Sequence, residues 1–261
     1  MATDRVLGVV PARLGSERLP RKPLHSLAGR PLLEWVWRRV SALPVLDACV
    51  IATDSEEVME ACASFGGRAV LTSATHGSGT ERVAEVARLS AFSGYDLLVN
   101  VQGDEPFVRD DHVAEAVARV RAGFDVGTVA TPVRTREAFY DPAVVKVARR
   151  QDGAALYFSR APIPFRRSGE PTEAELSTPL YLRHVGVYAY GRAALERWVA
   201  LPAGELEETE RLEQLRPLAA GLQIGVGVVA EAEGGVDTPE DAARAQRRLL
   251  DTIEEFTSTM R

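Results

Sequence analysis

The chain opens on "RVLGVVPA", a run apolar on both faces, as a strand buried inside a parallel sheet requires. "RPLLEWVWRRVSAL" then carries apolar residues at helical spacing, with Pro31 placed to suit a first helical turn. "ACVIATD" is a second apolar run, ending in Thr53 and Asp54. "SEEVMEACASFGG" predicts a helix with a serine cap, Glu57 near its start and a glycine pair as its stop. "RAVLTS" reads as a short strand, "GTERVAEVARLSAF" as an amphipathic helix, and "YDLLVNVQGDEP" as a strand running into an acidic turn. Alternating strands and helices imply a parallel sheet with helices on both faces. Binding sites in such sheets lie beyond the carboxyl ends of the strands.

After about Val126 the pattern changes. "FDVGTVATPV", "AVVKVARR", "AALYFSRAPIPF" and "LRHVGVYAYGR" read as strands with fewer helices between them. "RRSGEPTEAELSTP" is polar and rich in Pro, Ser and Glu, which predicts a mobile loop. "LEETERLEQLRPLAAG" predicts one helix ending before Gly221, and "IGVGVVAEA" a last strand. "TPEDAARAQRRLLDTIEEF" predicts a C-terminal helix with Thr238 as N-cap and Pro239 next. No internal repeat and no clean linker is visible, so the second half extends the first sheet or inserts into it.

Composition narrows the class. With 261 residues, 46% hydrophobic and 26% charged, the chain is of ordinary globular type and long enough for one large domain with an extension. No stretch has the ~20 apolar residues of a bilayer span, and the short first apolar run is not expected to be a signal peptide. Cys49 and Cys62 make no disulfide framework and are expected as reduced, half-buried thiols. The net charge of -6 argues against non-specific nucleic-acid binding.

Against that acidity, the first loop is cationic. Arg13, Arg18, Arg21 and Lys22 fall within ten residues, interleaved with Gly15, Ser16 and prolines. A loop between a strand and a helix presents free N–H groups, and arginine and lysine add charge-assisted bonds to phosphate oxygens. The loop is neither a Walker A loop nor a G-x-G-x-x-G turn, and a solvated basic loop is the alternative. In "QGDEP", Asp104 and Glu105 follow a strand; Asp104 would be a Mg²⁺ ligand completed by substrate phosphate and water, or the cap of a turn. In "GGVDTPED", Asp237 would be a second ligand, or only the residue before an N-cap. In "HGSGTER", His76, Ser78 and Thr80 sit at a loop-to-helix junction that would read a base or a ribose, or His76 is structural. In "RHVGVY", Arg183 and His184 suit an acidic substrate, or form a surface pair on an edge strand. No Ser/His/Asp order, Cys/His metal spacing or dinucleotide fingerprint is present. A phosphate loop with separated carboxylates suggests metal-assisted transfer to a nucleotide phosphate.

Eight segments carry a resemblance: "VVPARLGSERLPRKPL", "IATD", "HGSGTERVAEV", "VNVQGDEP", "YFSRAPIP", "LRHVGVYAY", "LEETERLEQLR" and "GVDTPEDAARA". In this order, over nearly the whole chain, they resemble the 3-deoxy-manno-octulosonate (Kdo) cytidylyltransferases. The resemblance implies a mostly parallel, Rossmann-like nucleotidyltransferase sheet flanked by helices, with a smaller α+β dimerisation and sugar-binding extension. It implies one domain over 1–261: a nucleotide-binding half (1–125), a sugar-binding and dimerisation part (126–222), and a return strand with the C-terminal helix (223–261). It implies CTP and Kdo as substrates, CMP-Kdo and pyrophosphate as products, Mg²⁺ as cofactor, and a cytoplasmic homodimer serving lipopolysaccharide synthesis without nucleic-acid or membrane partners.

Carried over position by position, the resemblance gives Arg13 and Lys22 the CTP phosphates, with Arg18 assisting beside Pro11 and Ala12. Ala52, Thr53, Asp54, Ser78 and Gly79 would face cytosine and ribose, and Gln102 both nucleotide and sugar. Asp104 and Asp237 would bind Mg²⁺ and, with Arg13 and Lys22, form the catalytic set. Arg82, Arg160, His184, Tyr188, Glu213 and Gln214 would line the sugar site. Two positions depart from the family pattern: Arg21 stands where glycine is usual, and Glu17 where a small or hydroxyl residue is. The expected chemistry is in-line attack of the sugar's anomeric hydroxyl on the α-phosphorus of CTP, with no general base assigned. Alternatives are transfer to a related acid (amino-Kdo, a sialic-type acid or a phosphonate), a metal-dependent glycosyltransferase, and a non-catalytic nucleotide-binding relative.

Overall fold

The structure, a computed structural model, describes residues 4–16 and 18–259. Its strands are β1 (Val6–Ala12), β2 (Ser26–Leu27), β3 (Arg30–Pro31), β4 (Ala48–Thr53), β5 (Ala69–Leu71), β6 (Leu97–Val101), β7 (Val126–Pro132), β8 (Lys146–Arg149), β9 (Ala155–Ser159), β10 (Leu182–Gly191) and β11 (Ile224–Val228). The main sheet is parallel in the pairs β1/β4, β4/β5 and β7/β11, while β10 runs antiparallel to β7. The chain divides into two compact units.

One unit holds Leu7–Ser93, Asn100–Val108 and the chain from Glu233 on. Its centre is β1, buried almost throughout because both faces are apolar, paired from Leu7 opposite Ala48 to Ala12 opposite Thr53. The helices that cover it start where the sequence has caps. Ser55 accepts from the Val58 N–H at the head of Glu56–Ser64, and Ser78 from the Glu81 N–H at the head of Gly79–Arg88. Pro31 precedes Leu32–Val40 as its N-cap, one residue before the helix rather than inside its first turn. Thr238 accepts from the Asp241 N–H at the start of Pro239–Thr259. Cys49 and Cys62 are free and buried, more deeply than expected, and burial pushes both thiols up to about 12.

The other unit holds the chain up to Val6, Gly94–Val99 and Arg109–Ala232. The strands after Val126 are those the pattern predicts, with β8 and β9 forming an antiparallel hairpin. Three corrections concern what lies around them. The segment expected as a mobile loop contains the helical turn Glu173–Leu176, closed by a capping box in which Thr172 and Glu175 satisfy each other's backbone N–H groups. Leu176 is fully buried there against Val133, Phe139 and Tyr181, and that contact holds the turn down. The single helix expected over "LEETERLEQLRPLAAG" is two, Glu205–Glu210 and Leu215–Ala219, because Arg211 turns the chain at φ 53°. The helix Asp110–Arg121, unrecognised in the sequence, packs on β7.

That packing makes Gly127 obligatory. A Cβ there would lie 1.8 Å from the Ala116 carbonyl oxygen, so strand or helix would have to move. Overpacking of this kind costs about 1–3 kcal/mol or more. Gly127→Ala should therefore lower the melting temperature by roughly 3–10 °C at ~2–4 °C per kcal/mol. Gly191→Ala is the control, since no atom lies within 4 Å of the added Cβ and its φ is -71°. Equal melting temperatures for the two variants, measured by circular dichroism, would contradict this packing.

Candidate active site

The cationic loop begins where β1 leaves the core. Arg13 is exposed, and Leu19 is buried, tying the middle of the loop to the protein. The loop closes on a 3₁₀ turn, Lys22–Leu24, entered through Arg21 in the left-handed region (φ 56°, ψ 35°). Its cations do different things. Arg21 pairs with Glu57 on the surface. Arg18 reaches Asp237 Oδ2 at 3.1 Å. Lys22 Nζ donates to Asp104 Oδ2 at 2.5 Å and to Asp237 Oδ1 at 2.9 Å. Burial alone would lower the Lys22 pKa; the Asp104 and Asp237 carboxylates outweigh it and raise it. Glu17 lies outside the described residues.

The two aspartates are fixed through their backbones. Asp104 follows Gly103, where a Cβ would stand 2.5 Å from the Pro11 carbonyl oxygen, so only glycine lets the strand ends approach. The Val236 N–H donates to the Asp104 carbonyl at 2.8 Å, joining the return segment to the turn after β6. The Asp241 carboxylate accepts from the N–H groups of Asp237 and Thr238 at 3.1 and 2.9 Å. Burial raises the Asp241 pKa, but those N–H groups and Thr238 outweigh it and hold the carboxyl low. Asp237 therefore both precedes a capped helix and aims its carboxylate at Lys22. Asp241 is a positioning residue the sequence reading passed over, although Thr238-x-x-Asp241 has the form of a reciprocal cap.

Among the described residues no group of three or more His, Cys, Asp and Glu side chains is arranged to hold a metal. Asp104 and Asp237 offer two carboxylates, each with an oxygen within 3 Å of one nitrogen atom. Two carboxylates with the remaining positions open suit Mg²⁺, which keeps water and substrate phosphate in its shell.

Around them lies a cleft of about 830 Å³ in the same unit. Pro11, Ala12, Arg13, Arg18, Lys22, Ser78, Gly79, Arg82, Gln102, Asp104 and Asp237 line it, as do Gly15, Ser16, Pro23 and Gly103, which the sequence reading had not assigned. Ser78 and Gly79 stand at the start of the helix Gly79–Arg88, whose N-terminal N–H groups favour an anion. His76 also lines the cleft, with its Nε2 against Glu85. Arg82 is 2% exposed; its guanidinium bonds Asp54 Oδ2 at 2.8 Å and the Thr72 hydroxyl. Ala52 and Thr53 are fully buried at the end of β4, outside the lining.

The remaining predicted residues belong to the other unit. Arg160 donates to the carbonyls of Glu210, Pro142 and Arg211 at 2.7, 2.9 and 3.3 Å, tying down the end of the helix Glu205–Glu210. Thr128 Oγ1 donates to the Val187 carbonyl at 2.8 Å, so it accepts from His184 Nε2 at 2.9 Å. Desolvation lowers the His184 pKa to about 3, which keeps the imidazole neutral. Its ring lies 5.3 Å from that of Tyr188, whose hydroxyl pKa is raised by burial and then by Tyr190 and Glu213. Gln214 is buried and Glu213 half-buried. Arg183 donates to the Ala232 carbonyl.

Comparison with known proteins agrees with this architecture. The cytidylyltransferase family pattern matches residues 7–224. A 3-deoxy-manno-octulosonate cytidylyltransferase of Gemmatimonas aurantiaca is 55% identical over 241 residues, covering 92% of each chain. One of Syntrophobacter fumaroxidans is 42% identical over 239 residues, covering 91% of this chain and 94% of the relative. The solved structure of a CMP:2-keto-3-deoxy-manno-octonic acid synthetase complexed with CTP superposes with a TM-score of 0.86 at 36% identity, covering 95% of this chain and 99% of that one. A 4-diphosphocytidyl-2C-methyl-D-erythritol synthase of Anaerococcus prevotii, 14% identical with a TM-score of 0.58, shares the fold. With a mostly parallel sheet flanked by helices and this identity over nearly its whole length, the chain belongs to the 3-deoxy-manno-octulosonate cytidylyltransferase family.

Proposed function

We propose that the protein transfers the cytidylyl group of CTP to 3-deoxy-manno-octulosonate, giving the CMP-sugar and pyrophosphate. The observation that carries this reading is the strand-end cleft, lined by Arg13, Arg18 and Lys22, in which Arg18 and Lys22 pair with Asp237 and Lys22 also with Asp104. The two sequence relatives and the 36%-identical solved structure bear cytidylyl chemistry in their names. The cationic loop suits a triphosphate of about four negative charges, which an acidic protein would otherwise repel.

In this reading Arg13, Arg18 and Lys22 bind the β- and γ-phosphates and neutralise the pyrophosphate as it leaves. Ser78, Gly79 and the helix behind them face the nucleoside, and Gln102 orients it. Asp104 and Asp237 would hold Mg²⁺, which when bound neutralises charge on the α-phosphate and lowers the pKa of the attacking hydroxyl. Arg82 is placed to act through Asp54 and Thr72, a positioning role. The sugar acid would meet His184, Tyr188, Glu213 and Gln214, with Arg160 holding the helix end that leads to the last two. A neutral His184 donates from Nε2 to Thr128, which leaves Nδ1 as an acceptor for a sugar hydroxyl. No helix among the described residues is long and apolar enough to cross a membrane. We infer a cytoplasmic homodimer supplying lipopolysaccharide synthesis, as the family resemblance implies.

The direct test is turnover of CTP with a panel of 2-keto sugar acids, followed by ³¹P NMR. Pyrophosphate and a CMP-sugar are expected with 3-deoxy-manno-octulosonate. Turnover only with an amino-sugar, sialic-type or phosphonate acid would change the acceptor. No pyrophosphate with any acid would overturn the reading. Two variants probe the site. Asp104→Asn should lower kcat by at least ~100-fold, the scale for losing centred charge stabilisation, with the fold intact by circular dichroism. Wild-type turnover at saturating Mg²⁺ would remove Asp104 from the site. Arg21→Gly relieves a left-handed conformation that costs a side chain about 1–2 kcal/mol and gives up a surface pair worth about 0–1 kcal/mol. It should keep or raise the melting temperature and change kcat/KM for CTP less than ~3-fold, since Arg21 points at Glu57. A large loss of kcat/KM would place Arg21 on the phosphates instead.

A further inference from the structure

Of thirty-one cationic side chains only two are lysines, Lys22 and Lys146. Lys146 is fully buried and donates to the carbonyls of Asp141 and Val144. Lys22 stands between two carboxylates, and its choice over arginine has a geometric reason. An ammonium is a compact charge that donates in three directions, whereas a guanidinium is a flat fork matched to one carboxylate. The aspartates come from positions 82 and 215 residues further along the chain, and both point at one nitrogen. Without a cation between them they would repel each other. Arg18, itself largely exposed, pairs with Asp237 Oδ2 at 3.1 Å, whereas Lys22 contacts both carboxylates and supplies the charge they share. A divalent cation held by the same oxygens needs the space the ammonium fills.

We propose that Lys22 is the built-in counter-ion of the Asp104–Asp237 pair, that its ammonium and a divalent cation exclude one another there, and that the nucleotide's triphosphate lifts the exclusion by drawing Lys22 onto itself. This rests on the reading of Asp104 and Asp237 as the Mg²⁺ carboxylates. It gives Lys22 a second duty besides phosphate binding and sets an order: the metal enters with the nucleotide or after it, not before. The protein is thereby kept from holding a naked metal ion next to water and unrelated phosphates.

The test uses Mn²⁺ as the probe, titrated into nucleotide-free protein and followed by the electron paramagnetic resonance of the free ion. Lys22→Gln should bind Mn²⁺ at least ~10-fold more tightly than wild type, within the range usual for coupled sites. Adding Asp104→Asn to that variant should erase the gain, which locates the ion. Equal or weaker binding by folded Lys22→Gln, or a gain that survives Asp104→Asn, overturns the proposal. If Lys22→Gln does not fold, the wild type decides the matter. With ¹³C,¹⁵N-lysine there are only two lysine side-chain amine signals to resolve. Millimolar Mg²⁺ alone should leave the Lys22 signal in place, and CTP without sugar acid should move it. A saturable shift with Mg²⁺ alone, or none with CTP, overturns the proposal. None of these readouts depends on turnover, so a failure of the cytidylyl-transfer reading would show separately, in the product assay.

Discussion

The ammonium of Lys22, 2.5 Å from one aspartate and 2.9 Å from another, is the contact on which the site depends. It ties together a loop near the start of the chain, the turn after β6 and the segment before the C-terminal helix. Parallel strands make this possible, because their carboxyl ends all emerge along one edge. The close approach needs Gly103, which leaves room for the Pro11 carbonyl, and the bond from the Val236 N–H to Asp104. Asp241 then takes the two N–H groups that would otherwise leave the Asp237 turn unsupported. Each piece is a backbone constraint, and together they aim two carboxylates at one atom.

Seen from this contact, the cations of the first loop divide by how firmly they are held. The Lys22 side chain is 19% exposed and its partner Asp104 22%, so water screens the pair only in part. The Arg18–Asp237 and Arg21–Glu57 pairs are far more exposed, and pairs of that kind contribute about 0–1 kcal/mol each. Arg18, which lines the cleft, is therefore free to exchange Asp237 for a ligand at little cost, whereas Lys22 moves only when something replaces its partners. In the proposed reading, a polyphosphate with its metal ion would be such a replacement, since it would bring anionic oxygens for the lysine and a cation for the aspartates at once.

Much of this was legible in the sequence, for physical reasons that differ by region. β1 and β4 are buried almost throughout and read as apolar runs. Ser55, Ser78 and Thr238 cap helices as their side chains suggest. Arg13, Lys22, Asp104 and Asp237 were legible because each directly follows a strand or sits in the loop beyond it. The helix Asp110–Arg121 was missed because its buried positions, including His112 and Val113, are few and its surface is charged. The turn at Glu173–Leu176 was hidden by its composition: one buried leucine and a reciprocal cap order a segment that otherwise reads as polar loop. The environments of Arg82 and Arg160 could not be read at all, because their partners Asp54, Thr72, Pro142 and Glu210 are joined to them only by the fold.

A double-mutant cycle measures the central contact directly. Lys22→Met, Asp104→Ala and the double variant would be unfolded in urea without metal or nucleotide, and their stabilities compared with wild type. If the ammonium holds the carboxylate as described, the double variant loses less than the two single losses together, by about 1–2 kcal/mol, within the usual range for residues in one charge network. Losses that simply add, to within ~0.5 kcal/mol, would mean that the two groups do not interact and that something else assembles the strand-end site.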